Sequence, residues 1–330
     1  MPIVKRRYAI MQQSVPKILL EVCGGCKPEE KILFVTDPAQ FPLAQKMYDT
    51  SPEYPHRKIV TIRKTITMHG QDPEPEVAAA MLAADVIYGI TKWSLFHSQA
   101  RKDAVAKGGR FVNMVDYNMG MLEPGSSLDT DFEAAGEVCS RLAQALTGKK
   151  TCRITTARGT DYTCSIEGIP PTPQYGRSLK PGSISSPPDI ECATCANEGT
   201  ANGVVYVDGS IPHPLLGLIR DEVKFTIKDG LIVDISGGEQ ARILKDLLAG
   251  FNDPTVYVAG EIGIGLNPKC TLTGSMLEDE GALGTVHIAS GSNMTFGGKT
   301  ASAYHFDYMF RDPTMVVDGA TLLQDGNVVI

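Results

Sequence analysis

The chain has 330 residues, of which 42% are hydrophobic and 21% charged, with a net charge of −7. Such a chain can bury a large core, and its length points to two domains. The acidic balance, with no basic cluster denser than Lys5-Arg6-Arg7, argues against a nucleic-acid partner, and no run approaches the roughly 18 apolar residues of a membrane span. The first residues carry charge and glutamine where a signal peptide needs an apolar core, so a cytoplasmic protein is expected.

From Pro16 to Met114 helical and strand-like stretches alternate. VPKILLEVC fits a helix, and Lys31 to Asp37 reads as a strand ending in a turn residue. A helical PLAQKMYDT, the strand Lys58 to Arg63, the helix Pro75 to Ala84 and the strand Val86 to Ile90 follow. The helix Ser98 to Ala106 then leads into a strand at Arg110 to Met114. Short β-branched runs between helices predict a parallel sheet covered on both faces. Val35-Thr36-Asp37-Pro38 stands where a phosphate-cradling GxGxxG would be, so no nucleotide cofactor is expected. Ligands of such sheets lie beyond the carboxyl ends of the strands. Thr91 and His97 follow the strand ending at Ile90 and are placed to face a cleft, although His97 also reads as a helix-capping or surface residue.

Residues 131 to 147 read as an amphipathic helix. After Gly148-Lys-Lys the texture changes to alternating strands with turn glycines, and Glu239 to Leu248 is the clearest helix among them. The expected architecture is therefore an α/β domain with a parallel sheet over 1–149, then an antiparallel β-rich domain over 150–330. The Pro-, Gly- and Ser-rich stretch from Gly168 to Asp189 reads as a lid or a crossing loop, and Glu191 comes at its end. Two CxxC pairs, Cys23/Cys26 and Cys192/Cys195, lie too far apart for a zinc ribbon, so reduced thiols are expected.

The densest run of potential metal ligands lies between 259 and 309. His305 and Asp307 are an i, i+2 pair, which on a strand puts imidazole and carboxylate on one face. His287 precedes a glycine-rich return, Gly291 to Gly298, that can bring it back to this pair. Glu261 follows an apolar run and can add a carboxylate from a neighbouring strand. Such nitrogen and oxygen donors suit zinc, manganese, cobalt or ferrous iron. A lone HxD is equally an ordinary polar rung, hydrogen-bonded in place.

The blocks EGTANGVVYVDGSI (198 to 211), AGEIGIGLNP (259 to 268), MLEDEGALGTVHIA (276 to 289), FGGK (296 to 299) and HFDYM (305 to 309) resemble the thermophilic-type aminopeptidases, the aminopeptidase T family. A divergent branch of that fold comprises the iron-dependent 2,5-dihydroxypyridine 5,6-dioxygenases. The peptidase resemblance implies a two-metal site in which Glu191 matches the first glutamate, Glu261 the bridging one, His287 the first histidine, and His305 with Asp307 the closing pair. It implies Glu280, with Glu278 as alternative, as general base. Met294 replaces the expected tyrosine, and with Thr91 and Tyr304 it is a candidate substrate contact. The dioxygenase branch has a histidine at Glu261, an apolar residue at His287 and no acid at Glu191. Its further histidine falls at Ser186 and its active-site serine at Ala289, but it shares His97 followed by a serine.

Five positions retained against two favour hydrolysis. The expectation is thus a metal-dependent hydrolase of a C–N bond in a small amide or peptide-like substrate, with one or two zinc, cobalt or manganese ions, Glu280 taking the water proton and His97 contacting substrate. The alternative is an Fe(II) ring-cleaving dioxygenase of an N-heteroaromatic. The resemblance also implies a homo-oligomer, a dimer or higher.

Overall fold

The computed structural model describes residues 13–302 and 304–330, so Lys5-Arg6-Arg7 and the rest of the leading segment lie outside the described residues. A three-residue helical turn, α1 (Val15–Lys17), runs directly into a π-helix over Ile18–Cys23. The sequence predicts an ordinary α-helix here. The departure has a visible cause: the Tyr88 hydroxyl donates to the Leu19 carbonyl at 2.9 Å, and the Gly24 N–H reaches that same carbonyl across the widened turn.

The apolar runs predicted as strands then build a parallel sheet. They are β1 (Ile32–Thr36), β2 (Lys58–Thr61), β3 (Val86–Ile90) and β4 (Arg110–Asn113), joined through α2 (Phe41–Asp49), α3 (Pro75–Leu82) and α4 (Gln99–Ala106). Strands β1, β3 and β4 are buried at every position, as helices on both faces require. Ser98 caps α4 by accepting from the Arg101 N–H. The sheet order is β2-β1-β3-β4, extended by the two-residue strand Ile184–Ser185, which is β8 in chain order. The crossing-loop alternative for 168 to 189 thus describes its second half, since Arg177–Ser185 belongs to the same compact unit as the residues up to Asp129.

The second compact unit comprises Thr130–Gly176 and Ser186–Ile330. It opens on α5 (Phe132–Leu146), capped by the Asp131 side chain. Its strands are β5 (Thr151–Thr155), β6 (Asp161–Ser165), β7 (Thr172–Gln174), β9 (Glu191–Cys195), β10 (Asn202–Val207), β11 (Ser210–Ile211), β12 (Gly217–Leu218), β13 (Val223–Lys228) and β14 (Leu231–Gly237). After α6 (Glu239–Gly250) come β15 (Ala259–Gly265), α7 (Met276–Glu280), β16 (Thr285–Gly291), β17 (His305–Arg311), β18 (Thr314–Val317), β19 (Ala320–Gln324) and β20 (Asn327–Val328). An eight-stranded sheet runs β14-β13-β10-β6-β5-β18-β19-β20, and a five-stranded one runs β17-β16-β15-β9-β7. All pairings in the five-stranded sheet are antiparallel. The α/β plus antiparallel β-rich class expected from the sequence is the class observed. Among the described residues no helix is long and apolar enough to cross a membrane.

Phe111 lies fully buried across Gly89, close enough that a Cβ at that glycine would stand 2.7 Å from its ring. It packs in one cluster with Leu33, Val35 and Ile87. Phe111→Ala is expected to lower the unfolding free energy by about 3–5 kcal/mol, read as a lower urea midpoint; a change below about 1 kcal/mol would show that this cluster does not hold the parallel sheet together.

Candidate metal centre

Strand register carries the five predicted ligands to one face of four adjacent strands. Gly263 pairs with His287, Glu191 pairs with Gly265, and Asp307 pairs with Ala289, which is two residues on from His287. Directly paired residues and those at i, i+2 share a face, so Glu191, His287, His305 and Asp307 all project to the same side. Glu261 joins them by the same spacing, two residues before Gly263, and a bulge lies just before the regular stretch. Ala259 faces Ser290 while Ile262 faces Ile288, which leaves Gly260 and Glu261 together opposite Ala289. The return predicted between His287 and His305 is a true hairpin, closed at Gly291 opposite His305.

The donor atoms converge in two overlapping groups, Glu191–Glu261–His287 and Glu261–His305–Asp307, each with its ligand atoms within 4.8 Å of one another. His305 Nε2 lies 3.1 Å from both Glu261 Oε2 and Asp307 Oδ1. His287 Nε2 lies 3.4 Å from Glu191 Oε2 and 3.6 Å from Glu261 Oε1. The other ring nitrogen of His305, Nδ1, is 2.7 Å from the Ser292 carbonyl, which fixes it as the donor and leaves Nε2 free to ligate. Gln174, opposite Glu191 on β7, donates its amide to Glu191 Oε1.

Gly263 makes the first group possible. A Cβ there would stand 2.1 Å from His287 Nε2 and 2.9 Å from Glu191 Oε2, so the imidazole lies directly across the bare backbone.

Burial would depress both imidazoles, but the surrounding carboxylates override it. His287 is raised to about 9 by Glu261, Glu191 and Asp307, and His305 goes well above the usual histidine range beside Asp307 and Glu261. Asp307 shows the reverse, since burial pushes its carboxyl up while His305 holds it down at about 2. Burial raises Glu191 to about 8, against the pull of His287. This cluster of acids with two imidazoles therefore concentrates negative charge where little water can screen it. Glu191 Oε2, Glu261 Oε2 and Asp307 Oδ1 are buried without an aligned hydrogen bond. Unmet carboxylate oxygens facing imidazole nitrogens fit a divalent cation.

Other predicted residues sit as follows. Glu280, on α7, hydrogen-bonds Asp307, and burial with the Asp307 charge raises its carboxyl well above the usual range, so it is the donor in that contact. Glu278 instead accepts from the Thr273 hydroxyl at 3.3 Å. Met294 and Tyr304 lie on the connection between β16 and β17, with Met294 60% exposed and the Tyr304 ring 4.2 Å from that of Phe306. Thr91 and His97 belong to the first unit, where the buried Thr91 hydroxyl donates to the Trp93 carbonyl and His97 is exposed beside Phe96. All eight cysteines are free, and none joins a candidate metal group among the described residues. Sequence reading missed Gln174, Gly263, Ser292 and Asp189, a fully buried acid with one unsatisfied oxygen just before Glu191.

Gly263→Ala is expected to lower divalent-metal affinity by at least tenfold with the circular dichroism spectrum unchanged, measured by metal content after dialysis. Undiminished metal would mean that His287 does not ligate from this position.

The family model for 2,5-dihydroxypyridine 5,6-dioxygenase (NicX) matches residues 39–330. A 2,5-dihydroxypyridine 5,6-dioxygenase of Pseudomonas putida KT2440 is 27% identical over 262 residues, covering 76% of this chain and 72% of that protein. The solved structure of the 2,5-dihydroxypyridine dioxygenase from Pseudomonas putida KT2440 superposes with a TM-score of 0.80 at 20% identity, covering 96% of each chain. Wild-type AmpT from Thermus thermophilus superposes with a TM-score of 0.68 at 12% identity over 96% of this chain and 98% of that one, a likeness of fold alone. The peptidase resemblance is therefore the more distant one, and the expectation of a C–N hydrolase with Glu280 as its water-activating base is overturned. Its physical basis was a donor set that serves either chemistry, and fold does not choose between them. The chain belongs to the 2,5-dihydroxypyridine 5,6-dioxygenase family.

Proposed function

We propose that this enzyme opens the ring of a small dihydroxylated N-heteroaromatic compound with dioxygen, using a divalent metal, ferrous iron, held by His305, Asp307 and Glu261. The family membership supports the reaction class, and the relative's name supplies the substrate class. The observation that carries the metal assignment is the convergence of buried Glu261 and Asp307 with half-buried His305, which is oriented by the Ser292 carbonyl. Iron bound there would supply Lewis acidity and a relay for electrons passing from the ring, the net reductant, to dioxygen.

The protein's own groups supply the rest. Glu280 hydrogen-bonds Asp307 and holds its carboxylate toward the centre. Phe296 is stacked on the His305 ring with centroids 6.0 Å apart, and Tyr304 lies on Phe306, so the β16–β17 connection offers flat apolar surface to a planar ring. We assign Met294 and Tyr304 to substrate contact on that basis. The second donor group, Glu191–Glu261–His287, shares Glu261 with the first and gives the centre capacity for a second cation.

The test is oxygen uptake by protein reconstituted anaerobically with Fe(II) and offered 2,5-dihydroxypyridine. About one dioxygen per ring opened is expected, and Glu261→Gln or Asp307→Asn should each lower turnover by more than about 100-fold. Unaltered turnover in both variants would remove these residues from the centre, and product formed without oxygen would remove the oxygenase reading. Metal uptake at the first group must also displace a proton from His305, and uptake at the second one from His287, both of which are raised in the metal-free protein. Affinity should therefore rise from pH 7 to 9, by up to about tenfold per unit for each proton displaced; a flat profile in competition titrations would show that His287 and His305 bind no metal.

A further inference from the structure

The parallel sheet has its own topological switch point. Strand β1 lies between β2 and β3, so the connection leaving β1 runs to one side and the chain later returns on the other. Crevices of this kind, at the carboxyl ends of the strands, are where open α/β sheets take ligands. A cavity of about 330 Å³ lies there, lined by residues that follow β1, β2 and β3, among them Pro38, Ile62, Arg63, Ile66, Lys92 and Trp93. Its size is at the lower end of small-molecule sites.

The charges around this cavity are not equally available. Asp37 is the acid in the lining, and its oxygens are taken by the N–H groups of Ala39 and Gln40, each at 2.9 Å, and of Lys92 at 2.6 Å. Lys92 Nζ pairs with Asp116 at 2.7 Å, and Lys64 Nζ donates to the Asp72 carbonyl at 3.1 Å. The guanidinium of Arg63 has no partner among the described residues, while its own backbone N–H is fixed by Glu74. In the same lining, the half-buried indole of Trp93 is held edge-on by His69 with ring centroids 5.1 Å apart, and His69 Nδ1 accepts the Ser94 N–H at 3.0 Å.

We propose that this switch-point cavity binds a small aromatic carboxylate, its carboxylate on Arg63 and its ring against Trp93 and Ile66. An unpaired guanidinium offers a bidentate fork to a carboxylate. The half-buried indole and Ile66 offer apolar surface that a bare inorganic anion would leave unused. The assignment stands on the first unit alone and does not depend on the ring-cleaving reading.

Trp93 is the chain's one tryptophan, so its fluorescence reports on this cavity directly. Titration of the full-length, metal-loaded protein with benzoate is expected to give a saturable change in Trp93 emission, matched by saturable heat in calorimetry. Benzamide and inorganic phosphate should each bind at least tenfold more weakly, and Arg63→Gln should weaken benzoate at least tenfold while iron content and oxygen uptake stay unchanged. Phosphate binding as tightly as benzoate would make this a general anion site and overturn the proposal. So would benzoate affinity unaltered in Arg63→Gln, or no saturable signal by either method.

Discussion

The second unit is built around a repulsion. Glu191, Glu261 and Asp307 are all buried, their unsatisfied oxygens crowd against two imidazoles, and the acids Asp189 and Glu280 stand close by. Carboxylates that would repel one another in a low-dielectric interior persist only if protons or a cation neutralise them. Without metal, protons do so in part: Glu191, Glu280 and both imidazoles are pushed up. A divalent ion relieves the same strain more directly, so metal binding and the stability of this face are linked. Glu261 is the pivot, because it belongs to both donor groups.

Holding such a cluster in register is a backbone problem, and three local devices address it. The bulge at Gly260–Glu261 absorbs one extra residue where the ligand stretch of β15 begins, so Glu261, Gly263 and Gly265 keep regular pairing with β9. Gly263 leaves the space that the His287 ring fills. Gly291, at a φ of 101° and with a Cβ position only 2.2 Å from the Tyr304 carbonyl, closes the hairpin at the point where His305 begins. A one-residue slip in any of these strands would turn its ligand to the opposite face, so the antiparallel ladder and the metal centre specify each other.

Much of this was legible in the sequence because it is local. The i, i+2 spacing of His305 and Asp307, the glycine-rich return after His287 and the alternating helices and strands of the first half follow from periodicity and turn chemistry. The structure brings His305 and Asp307 together with His287, Glu261 and Glu191. Non-local contacts were not legible. The bulge depends on pairing with β16, Gln174 reaches Glu191 across a separate edge strand, and the π-helix at Ile18–Cys23 depends on the hydroxyl of Tyr88, far along the chain. The reaction was misread for a different reason: glutamate, histidine and aspartate around a cation can activate water for hydrolysis or support oxygen chemistry, and residue types alone do not separate the two.

The superposition with AmpT shows that one scaffold carries chains of different names, and in this chain the ligand face is locked by strand register. Strand register does not fix the side chains of the connection between β16 and β17. That connection carries an exposed Met294, the Phe296 ring stacked on a ligand histidine, and Tyr304 on Phe306. It also supplies the Ser292 carbonyl that sets the His305 tautomer. One loop therefore both fixes the His305 ring and exposes aromatic surface beside it, while the strands beneath are held by their register.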